Sequence, residues 1–156
     1  MDQMDPTDPM DRGKRYENLA RQVSAIGAVK RGLARTLPAD CPGGSAIVLA
    51  LLHHHGDMRI GRVSELMAVD MSVSSRHVAH TVDRGWVERL PDPADKRSRI
   101  LHLTPAGESM LAVLDRRLTD MLARTLVEWS DDDVELLTDL LARLRDSFGD
   151  CRAHHA

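Results

Sequence analysis

A short stretch of alternating sequence constrains the fold of this chain more than any other feature. Residues 86–90 and residues 99–103 each alternate apolar and polar side chains, which is the periodicity of a β-strand with one buried face. The segment between them, residues 91–98 (PDPADKRS), consists of turn-forming and charged residues. The sequence therefore predicts a β-hairpin with a charged tip, set in a chain whose other apolar residues recur at helical spacing.

Two helices are predicted immediately before this hairpin. The apolar stripe of the first consists of Val63, Leu66 and Met67. The second spans residues 71–84, with Asp70 as a suitable N-cap and Gly85 where a left-handed residue often ends a helix. Two helices joined by so short a connection predict a helix-turn-helix.

Amphipathic helices are predicted on both sides of this segment. Upstream, an apolar stripe runs through residues 16–37, and residues 45–55 form a second, heavily buried helix. Residues 58–60 predict a very short strand. Downstream, further stripes predict helices over residues 105–126 and 130–148. The hairpin is therefore expected within an otherwise helical chain.

Length and composition favour one mainly helical domain. The chain has 156 residues, of which 42% are hydrophobic and 3% aromatic, and this balance suits helix packing better than a strand-rich sandwich. Its two cysteines, Cys41 and Cys151, are not spaced like a disulfide framework or a zinc ribbon. No segment approaches the roughly 18 apolar residues of a membrane span, and the polar N-terminus is unlike a signal peptide. We therefore expect a cytoplasmic protein without a membrane partner.

The charge of the chain is unevenly distributed. Its net charge of -3 argues against a uniformly basic nucleic-acid-binding protein. Residues 76–104, however, contain six Lys and Arg residues and four Asp and Glu residues, a net charge of +2 that leaves -5 for the rest. Such a local basic face on an acidic scaffold fits contact with the phosphate backbone of DNA.

The chain resembles the MarR (multiple antibiotic resistance regulator) family over about residues 16–148. The residues that carry the resemblance form the run Asp70–Gly107, DMSVSSRHVAHTVDRGWVERLPDPADKRSRILHLTPAG. This run is similar to the recognition helix, the RG(L/W)VER strand, the DPxDxR wing and the LTxxG helix start of that family. Thr81 is a departure, because the family more often has leucine at this position of the recognition helix.

The resemblance implies a mainly α fold with two lobes in a single domain, residues 16–148. One lobe is a winged helix-turn-helix with a two-stranded wing, and the other is a dimerisation lobe built from N- and C-terminal helices. The expected segments are a disordered N-terminal tail at 1–15, dimerisation helices at about 16–37 and 105–148, a DNA-binding lobe at about 45–104, and a C-terminal tail at 149–156.

The resemblance also implies a function. It predicts a transcriptional regulator, which we expect to be a repressor, that binds double-stranded DNA sequence-specifically as a homodimer on a palindromic operator. A small-molecule effector is expected in a cavity between the dimerisation helices and the DNA-binding lobe. The alternative is a metal- or redox-responsive regulator of the same fold.

The predicted recognition helix carries candidate DNA contacts on one face. A helix in the major groove needs small polar and cationic side chains there, because they must reach base edges and phosphates. The candidates are Ser72, Ser75, Arg76, His77 and His80. Local helix capping is the alternative role for Ser72 and Ser75. Val78 and Val82 are expected to pack inward.

The wing contributes further candidates through the resemblance. Asp92, Asp95 and Arg97 match the acidic residues and the minor-groove arginine of the DPxDxR motif. An arginine at a loop tip suits the narrow, negative minor groove of A·T-rich DNA. Asp95 is expected to orient Arg97, and Lys96 and Arg99 are expected to contact phosphates.

Other residues with reactive or metal-binding side chains favour structural roles. His53, His54 and His55 are consecutive, and neighbours on a helix point about 100° apart, so the three cannot chelate one ion. We therefore expect no metal site, the alternative being one of these histidines with a distant partner. Cys41 is expected to be a buried or half-exposed thiol, with oxidant sensing as its alternative role.

The sequence lacks recognisable catalytic motifs. It contains no HExxH, no phosphate-binding glycine loop and no GxSxG, and it pairs no cysteine or serine convincingly with a positioned base. We therefore expect no catalytic residue, no cofactor and no enzyme activity.

Overall fold

A computed structural model describes the backbone of residues 9–152 and the side chains of residues 12–148. In this part of the chain the elements are, in order, α1 (Pro9–Ala25), α2 (Gly27–Ala34), α3 (Gly43–His55), α4 (Ile60–Met67), α5 (Met71–Asp83), β1 (Val87–Asp92), β2 (Asp95–Leu103), α6 (Pro105–Thr125) and α7 (Asp131–Arg152). The two strands pair as an antiparallel hairpin between α5 and α6. The mainly α fold with a two-stranded wing, predicted from the sequence, is confirmed.

The chain divides into two compact units after Met121, within α6. The first unit contains α1 to α5, the hairpin and most of α6, and the second contains the end of α6 and α7. This division differs from the predicted lobes, because residues 16–37 and the start of α6 share a unit with the helix-turn-helix. Leu111 of α6 is buried in the core of the first unit, which accounts for the difference.

The core of the first unit is centred on α3. Its fully buried apolar side chains include Val48 and Leu49 of α3, Val63 of α4, Val78 of α5, Val87 of β1 and Leu101 of β2. Burial of each such side chain contributes about 1.5–3 kcal/mol relative to exposure. Because α3 contacts α4, α5 and β2, the predicted buried helix fixes the position of the elements around it.

Helices α4 and α5 form the helix-turn-helix, and a hydroxyl pair joins them. Ser64 of α4 and Ser74 of α5 are both buried and share a hydrogen bond. Asp70 occupies the predicted N-cap position of α5, but its side chain forms no capping hydrogen bond. Gly85 follows α5 with φ +72°, the left-handed conformation that the sequence predicted for it.

Thr81, the departure from the family pattern, is fully buried in α5. Its hydroxyl donates to the Val78 carbonyl at 2.8 Å. The polar group is thus satisfied within the helix, so threonine serves as an inward-facing residue at this position.

The hairpin is longer and its turn is tighter than predicted. Strand pairing continues as far as Asp92 opposite Asp95, with a register shift close to the tip. Only residues 93 and 94 form the turn, whereas the sequence predicted a connection over residues 91–98. The Ala94 N–H donates to the Asp92 carboxylate at 2.8 Å, and this side-chain hydrogen bond closes the turn.

The predicted strand over residues 58–60 is reduced to a single residue. Met58 forms an isolated bridge with Leu101 of β2, whose N–H donates to the Met58 carbonyl at 2.8 Å. Arg59 is already the N-cap of α4 and Ile60 is its first residue. The chain therefore turns into a helix before the strand can extend.

The single helix predicted over residues 16–37 is interrupted. Ile26 lies in a turn between α1 and α2, and its N–H donates to the Val23 carbonyl at 3.2 Å, a spacing of three residues rather than four. Beyond α2, the segment that was expected to continue the helix to residue 37 forms turns. The apolar stripe is continuous in the sequence because α1 and α2 both carry apolar side chains, such as Leu19, Val23 and Val29.

The predicted tails are shorter than expected. Helix α1 begins at Pro9, so residues 9–15 are helical rather than disordered, and proline suits the first turn of a helix. Helix α7 extends to Arg152, into the predicted C-terminal tail. The remaining predicted tail segments, residues 1–8 and 153–156, lie outside the described residues. None of the helices described is both long enough and apolar enough to cross a membrane.

Candidate nucleic-acid interface

The outward face of α5 is formed by three of the predicted contact residues. Ser72 and Arg76 are exposed, and Ser75 is half-buried beside them, one helical turn from Ser72. Within residues 12–148 neither serine hydroxyl caps the helix and Arg76 forms no ion pair. These groups are therefore available to a partner that approaches α5 from outside.

His77 and His80 do not lie on this outward face. The Nδ1 atom of His80 is 3.0 Å from the Ser45 hydroxyl, and its ring packs edge-on against Trp86 with centroids 5.8 Å apart. The ring of His77 covers Gly44, where any side chain would collide with it. The sequence prediction of groove contacts is corrected for both, because their positions flank the buried stripe of α5 and turn toward α3.

Two basic side chains are exposed at the tip of the wing. Lys96 and Arg97 extend from the start of β2, and neither forms an ion pair within the part of the chain that is described. The Arg97 N–H donates to the Asp95 carboxylate at 3.0 Å, and the Ser98 hydroxyl donates to it at 2.7 Å. Asp95 thus holds the backbone of Arg97, the residue that it was expected to orient. The Ser98 hydroxyl, followed by the Arg97 N–H, holds the pKa of Asp95 below its ordinary value.

Asp92 is linked to a residue that the sequence reasoning did not single out as a site residue. The Arg59 Nε donates to Asp92 at 2.6 Å, and the Arg59 Nη2 lies 2.6 Å from the same oxygen and 3.8 Å from Asp95. The Ala94 N–H, and then Arg59, lower the pKa of the Asp92 carboxyl. The only sequence signal was an arginine at a helix N-cap, where Ser, Thr, Asp or Asn is preferred.

A basic cleft lies between α5 and the wing. It has a volume of about 500 Å³, and its polar lining side chains are Arg59, Ser75, Arg89, Ser98 and Arg99. Arg99, predicted as a phosphate contact, therefore lies on the cleft side of β2. Arg89 on β1 was not predicted, although it belongs to the alternating segment that defined the strand. The cleft joins the outward face of α5 to the wing in one basic surface.

Cys41 does not have the environment of a reactive thiol. It is fully buried, and burial raises the pKa of the thiol, with Asp40 raising it further and Arg84 lowering it. Nucleophilic and oxidisable cysteines have lowered pKa values and are accessible. The geometry agrees with the expectation of a buried thiol.

Two of the histidines outside α5 pair with carboxylates. His53 lies 3.0 Å from Glu108, and His102 lies 2.8 Å from Asp57. Within residues 12–148, no three His, Cys, Asp or Glu side chains converge as a metal site would require. The side chains of Cys151, His154 and His155 lie outside the described residues.

Comparison with known proteins finds similarity to one family. The MarR family model matches residues 39–98. YxaD of Bacillus subtilis, an uncharacterised HTH-type transcriptional regulator, is 27% identical over 106 residues, which cover 68% of this chain and 74% of YxaD. Wild-type MarR from E. coli in its apo form has 26% identity and a TM-score of 0.69, over 81% of this chain and 96% of that chain.

A further structure shows the same fold with DNA. It is a cysteine mutant of E. coli MarR complexed with operator DNA, with 24% identity and a TM-score of 0.63 over 83% of this chain and 96% of that chain. The family model, the relatives and the solved structures agree in their family. Over residues 39–98 in sequence, and over most of the chain in fold, this chain is similar to MarR-family proteins.

Proposed function

We propose that this chain is a transcriptional regulator that binds double-stranded DNA sequence-specifically. The observation that carries the proposal is a pair of exposed arginines, Arg76 on the outward face of α5 and Arg97 at the wing tip, on a chain of net negative charge. Neither guanidinium has a partner among residues 12–148. An acidic chain that leaves arginines exposed along one surface favours a polyanionic partner at that surface. The MarR relative complexed with operator DNA supports the same conclusion.

The proposed docking places α5 in the major groove. Ser72 and Ser75 contact phosphates or bases near the start of the helix, and Arg76 forks onto a guanine or clamps a phosphate. The wing lies along the adjacent minor groove, where the narrow groove attracts Arg97. Lys96 and Arg99 contact phosphates on either side and contribute affinity rather than sequence preference.

The proposed active species is a homodimer. Large apolar side chains are exposed on both terminal regions of the chain: Leu19, Val23 and Ile26 near the N-terminus, and Leu137, Leu140, Leu141, Leu144 and Phe148 on α7. Rows of exposed apolar side chains are uncommon on monomers and mark interaction surfaces. A second copy that covers them gives a two-fold assembly with two recognition helices, and hence a palindromic operator.

A small-molecule effector is the proposed regulator, and repression is the proposed mode of action. A cleft of about 420 Å³ lies between α2, α3 and α6. Its lining is largely apolar and includes Leu33, Leu37, Ile47, Leu111 and Leu114. Such a cleft with few polar groups is typical of small-ligand sites. Helix α3 also contacts His77 and His80 of α5. A ligand bound in the cleft therefore contacts α3, which in turn contacts the proposed recognition helix.

A metal- or redox-responsive regulator of the same fold remains the alternative, and it has less support. The buried thiol of Cys41 and its raised pKa are unfavourable for oxidant sensing. Several relatives, YxaD among them, are named as transcriptional regulators and not as enzymes, which supports a regulator without catalytic activity. We propose that it acts in the cytoplasm.

The test of the proposed function is selection from a library of short duplexes at several salt concentrations. The wild type should select an imperfect palindrome, and Arg97→Ala should bind it at least about tenfold more weakly, a loss of about 1.4 kcal/mol. Arg116→Ala removes an exposed arginine of α6 and is the matched control, which should bind like the wild type. If no duplex is selected, or if both variants behave alike, the proposal is wrong.

A further inference from the structure

We propose that Arg59 is a positioning residue that fixes the wing relative to the recognition helix. The inference rests on the proposed DNA-binding function, and it adds a residue that lies on neither the recognition helix nor the wing. Arg59 is the N-cap of α4, the first helix of the helix-turn-helix. Its guanidinium spans from that helix end to the carboxylates at the wing tip.

The N-cap position makes this side chain unusual. A capping residue normally turns a short polar side chain back onto the free N–H groups of its own helix. Arg59 forms no such capping hydrogen bond, and both its Nε and its Nη2 lie 2.6 Å from one oxygen of Asp92. The Arg59 side chain thus connects α4 to the wing and does not cap its own helix.

The wing needs an anchor of this kind. It is a two-stranded hairpin, and an isolated hairpin of two strands is marginally stable in water. The bridge between Met58 and Leu101 holds the base of the hairpin, far along β2 from the tip. The strand register shifts close to Asp92, so the ladder is irregular where Arg59 attaches.

Arg59 is connected to Arg97, the proposed minor-groove residue, through the two carboxylates that it contacts. Asp92 accepts the Ala94 N–H and thereby closes the turn. Asp95, 3.8 Å from Arg59, accepts the Arg97 N–H and so sets the direction in which Arg97 leaves the wing. A displacement of Arg59 is therefore transmitted to Arg97 through two carboxylates.

The other end of the connection is the recognition helix. Helix α4 packs on α5, and Ser64 and Ser74 share a buried hydrogen bond across that contact. Arg59 is joined to α4 directly through the backbone. One arginine thus ties the groove-reading helix and the wing into one unit, which is a requirement for simultaneous major- and minor-groove contact.

The competing role for Arg59 is a phosphate contact of its own, since it also lines the basic cleft. The two roles differ in their effect on salt dependence. Loss of one phosphate contact lowers the slope of log K against log salt by about 0.9 and adds to the effect of Arg97→Ala. Loss of a positioning residue acts through Arg97, so its effect disappears when Arg97 is already alanine.

The first experiment needs no DNA. Amide hydrogen exchange of Ala94 and Arg97 is compared in the wild type, in Arg59→Ala and in Arg62→Ala, a control that removes a neighbouring exposed arginine of α4. Exchange at both amides should be at least about threefold faster in Arg59→Ala alone, because the tip opens locally. Asp92→Asn should show the same acceleration. Unchanged exchange in Arg59→Ala with a folded chain overturns the proposal.

The second experiment measures binding to the selected duplex in a double-mutant cycle. Arg59→Ala should weaken binding about fivefold in the wild type and less than about twofold in the Arg97→Ala background, with Arg59→Lys intermediate. Two results would overturn the positioning role in favour of a direct phosphate contact. One is that the losses from Arg59→Ala and Arg97→Ala are additive. The other is that Arg59→Ala reduces the slope of log K against log salt by about 0.9 whether or not Arg97 is present. If the wild type selects no duplex, the proposed function is wrong. The exchange experiment still tests whether Arg59 anchors the wing tip.

Discussion

The imidazole of His80 and the hydroxyl of Ser45 share a hydrogen bond at 3.0 Å, so α5, the proposed recognition helix, is joined to the first turn of α3. Ser45 is fully buried, and His80 is covered on its other side by Trp86. Ala46 and Ile47, which follow Ser45, line the apolar cleft. The start of α3 therefore contacts the recognition helix on one side and the proposed effector site on the other.

We expect Ser45→Ala to destabilise the fold by about 1 kcal/mol. The substitution removes the partner of a half-buried imidazole nitrogen, and a polar group left without a partner costs its desolvation. The measurement is the urea midpoint, with an unchanged dependence of the free energy on urea. Ser109→Ala, an exposed serine of α6, is the control and should leave the midpoint where it is. A shift of equal size in both variants contradicts the prediction.

Gly44→Ala should destabilise the fold by about 1–3 kcal/mol, because the new methyl group would overlap the ring of His77. The same substitution in a His77→Ala background should cost far less, because the obstructing ring is absent. Thermal or urea unfolding of the four proteins of this double-mutant cycle measures the difference. Equal costs in the two backgrounds would mean that the ring does not pack on Gly44.

Gly107→Ala should be more damaging than Gly44→Ala. A methyl group at Gly107 would collide with the backbone carbonyl of Trp86 and with Leu103. A side-chain ring can rotate away, whereas the Trp86 carbonyl, in the connection between α5 and β1, moves only with the backbone. We expect a loss above about 3 kcal/mol, measured by urea unfolding, and no rescue by Leu103→Ala. Full rescue by that second substitution would contradict the backbone argument.

The sequence predicted the helix-turn-helix and the hairpin but identified only part of the buried face of α5. Val78 is fully buried and Val82 packs partly buried against the core, as predicted, but Ser74 and Thr81 are also fully buried and were not predicted to be. Ser74 and Thr81 conceal the stripe because they are polar, and each hydroxyl is satisfied by a carbonyl three residues earlier. A pattern of apolar residues does not register such positions.

The two unrecognised buried positions explain the two histidines. Because Ser74 and Val78 are buried, the neighbouring residues His77 and His80 face α3. Of the contacts predicted on α5, Ser72, Ser75 and Arg76 remain on the outward face. The contact between Arg59 and Asp92 could not be predicted from the sequence for a different reason. It joins residues 33 positions apart in sequence, and no local periodicity specifies a contact of that separation.

Asp92 should make the stability of the fold depend on pH in the acid range. Its pKa is held below the ordinary value by the Ala94 N–H and by Arg59. A carboxyl with a lowered folded pKa stabilises the fold above its unfolded pKa, about 3.9, and loses that contribution as the pH falls through the folded pKa. The wild type should therefore lose stability in the acid interval below about pH 4.

Asp92→Asn should lose less stability over the same interval, because the amide does not titrate. The residual dependence includes Asp95, whose pKa is also lowered, chiefly by the Ser98 hydroxyl. Urea midpoints at a series of pH values measure the effect, and Asp115→Asn, an exposed carboxylate of α6, is the matched control. Parallel curves for the wild type and Asp92→Asn would contradict the prediction.

Arg76→Ala and Lys96→Ala should separate sequence recognition from phosphate attraction. Arg76 lies on the outward face of α5, so its loss should weaken binding to the selected duplex by about 1–3 kcal/mol and reduce discrimination at the base pairs that it contacts. Lys96 lies at the wing tip, so its loss should weaken binding to all duplexes alike and reduce the salt slope by about 0.9. Binding titrations on selected and scrambled duplexes at several salt concentrations measure both quantities. If Arg76→Ala weakened binding to both duplexes equally, α5 would contact the backbone and the sequence preference would have to reside in the wing.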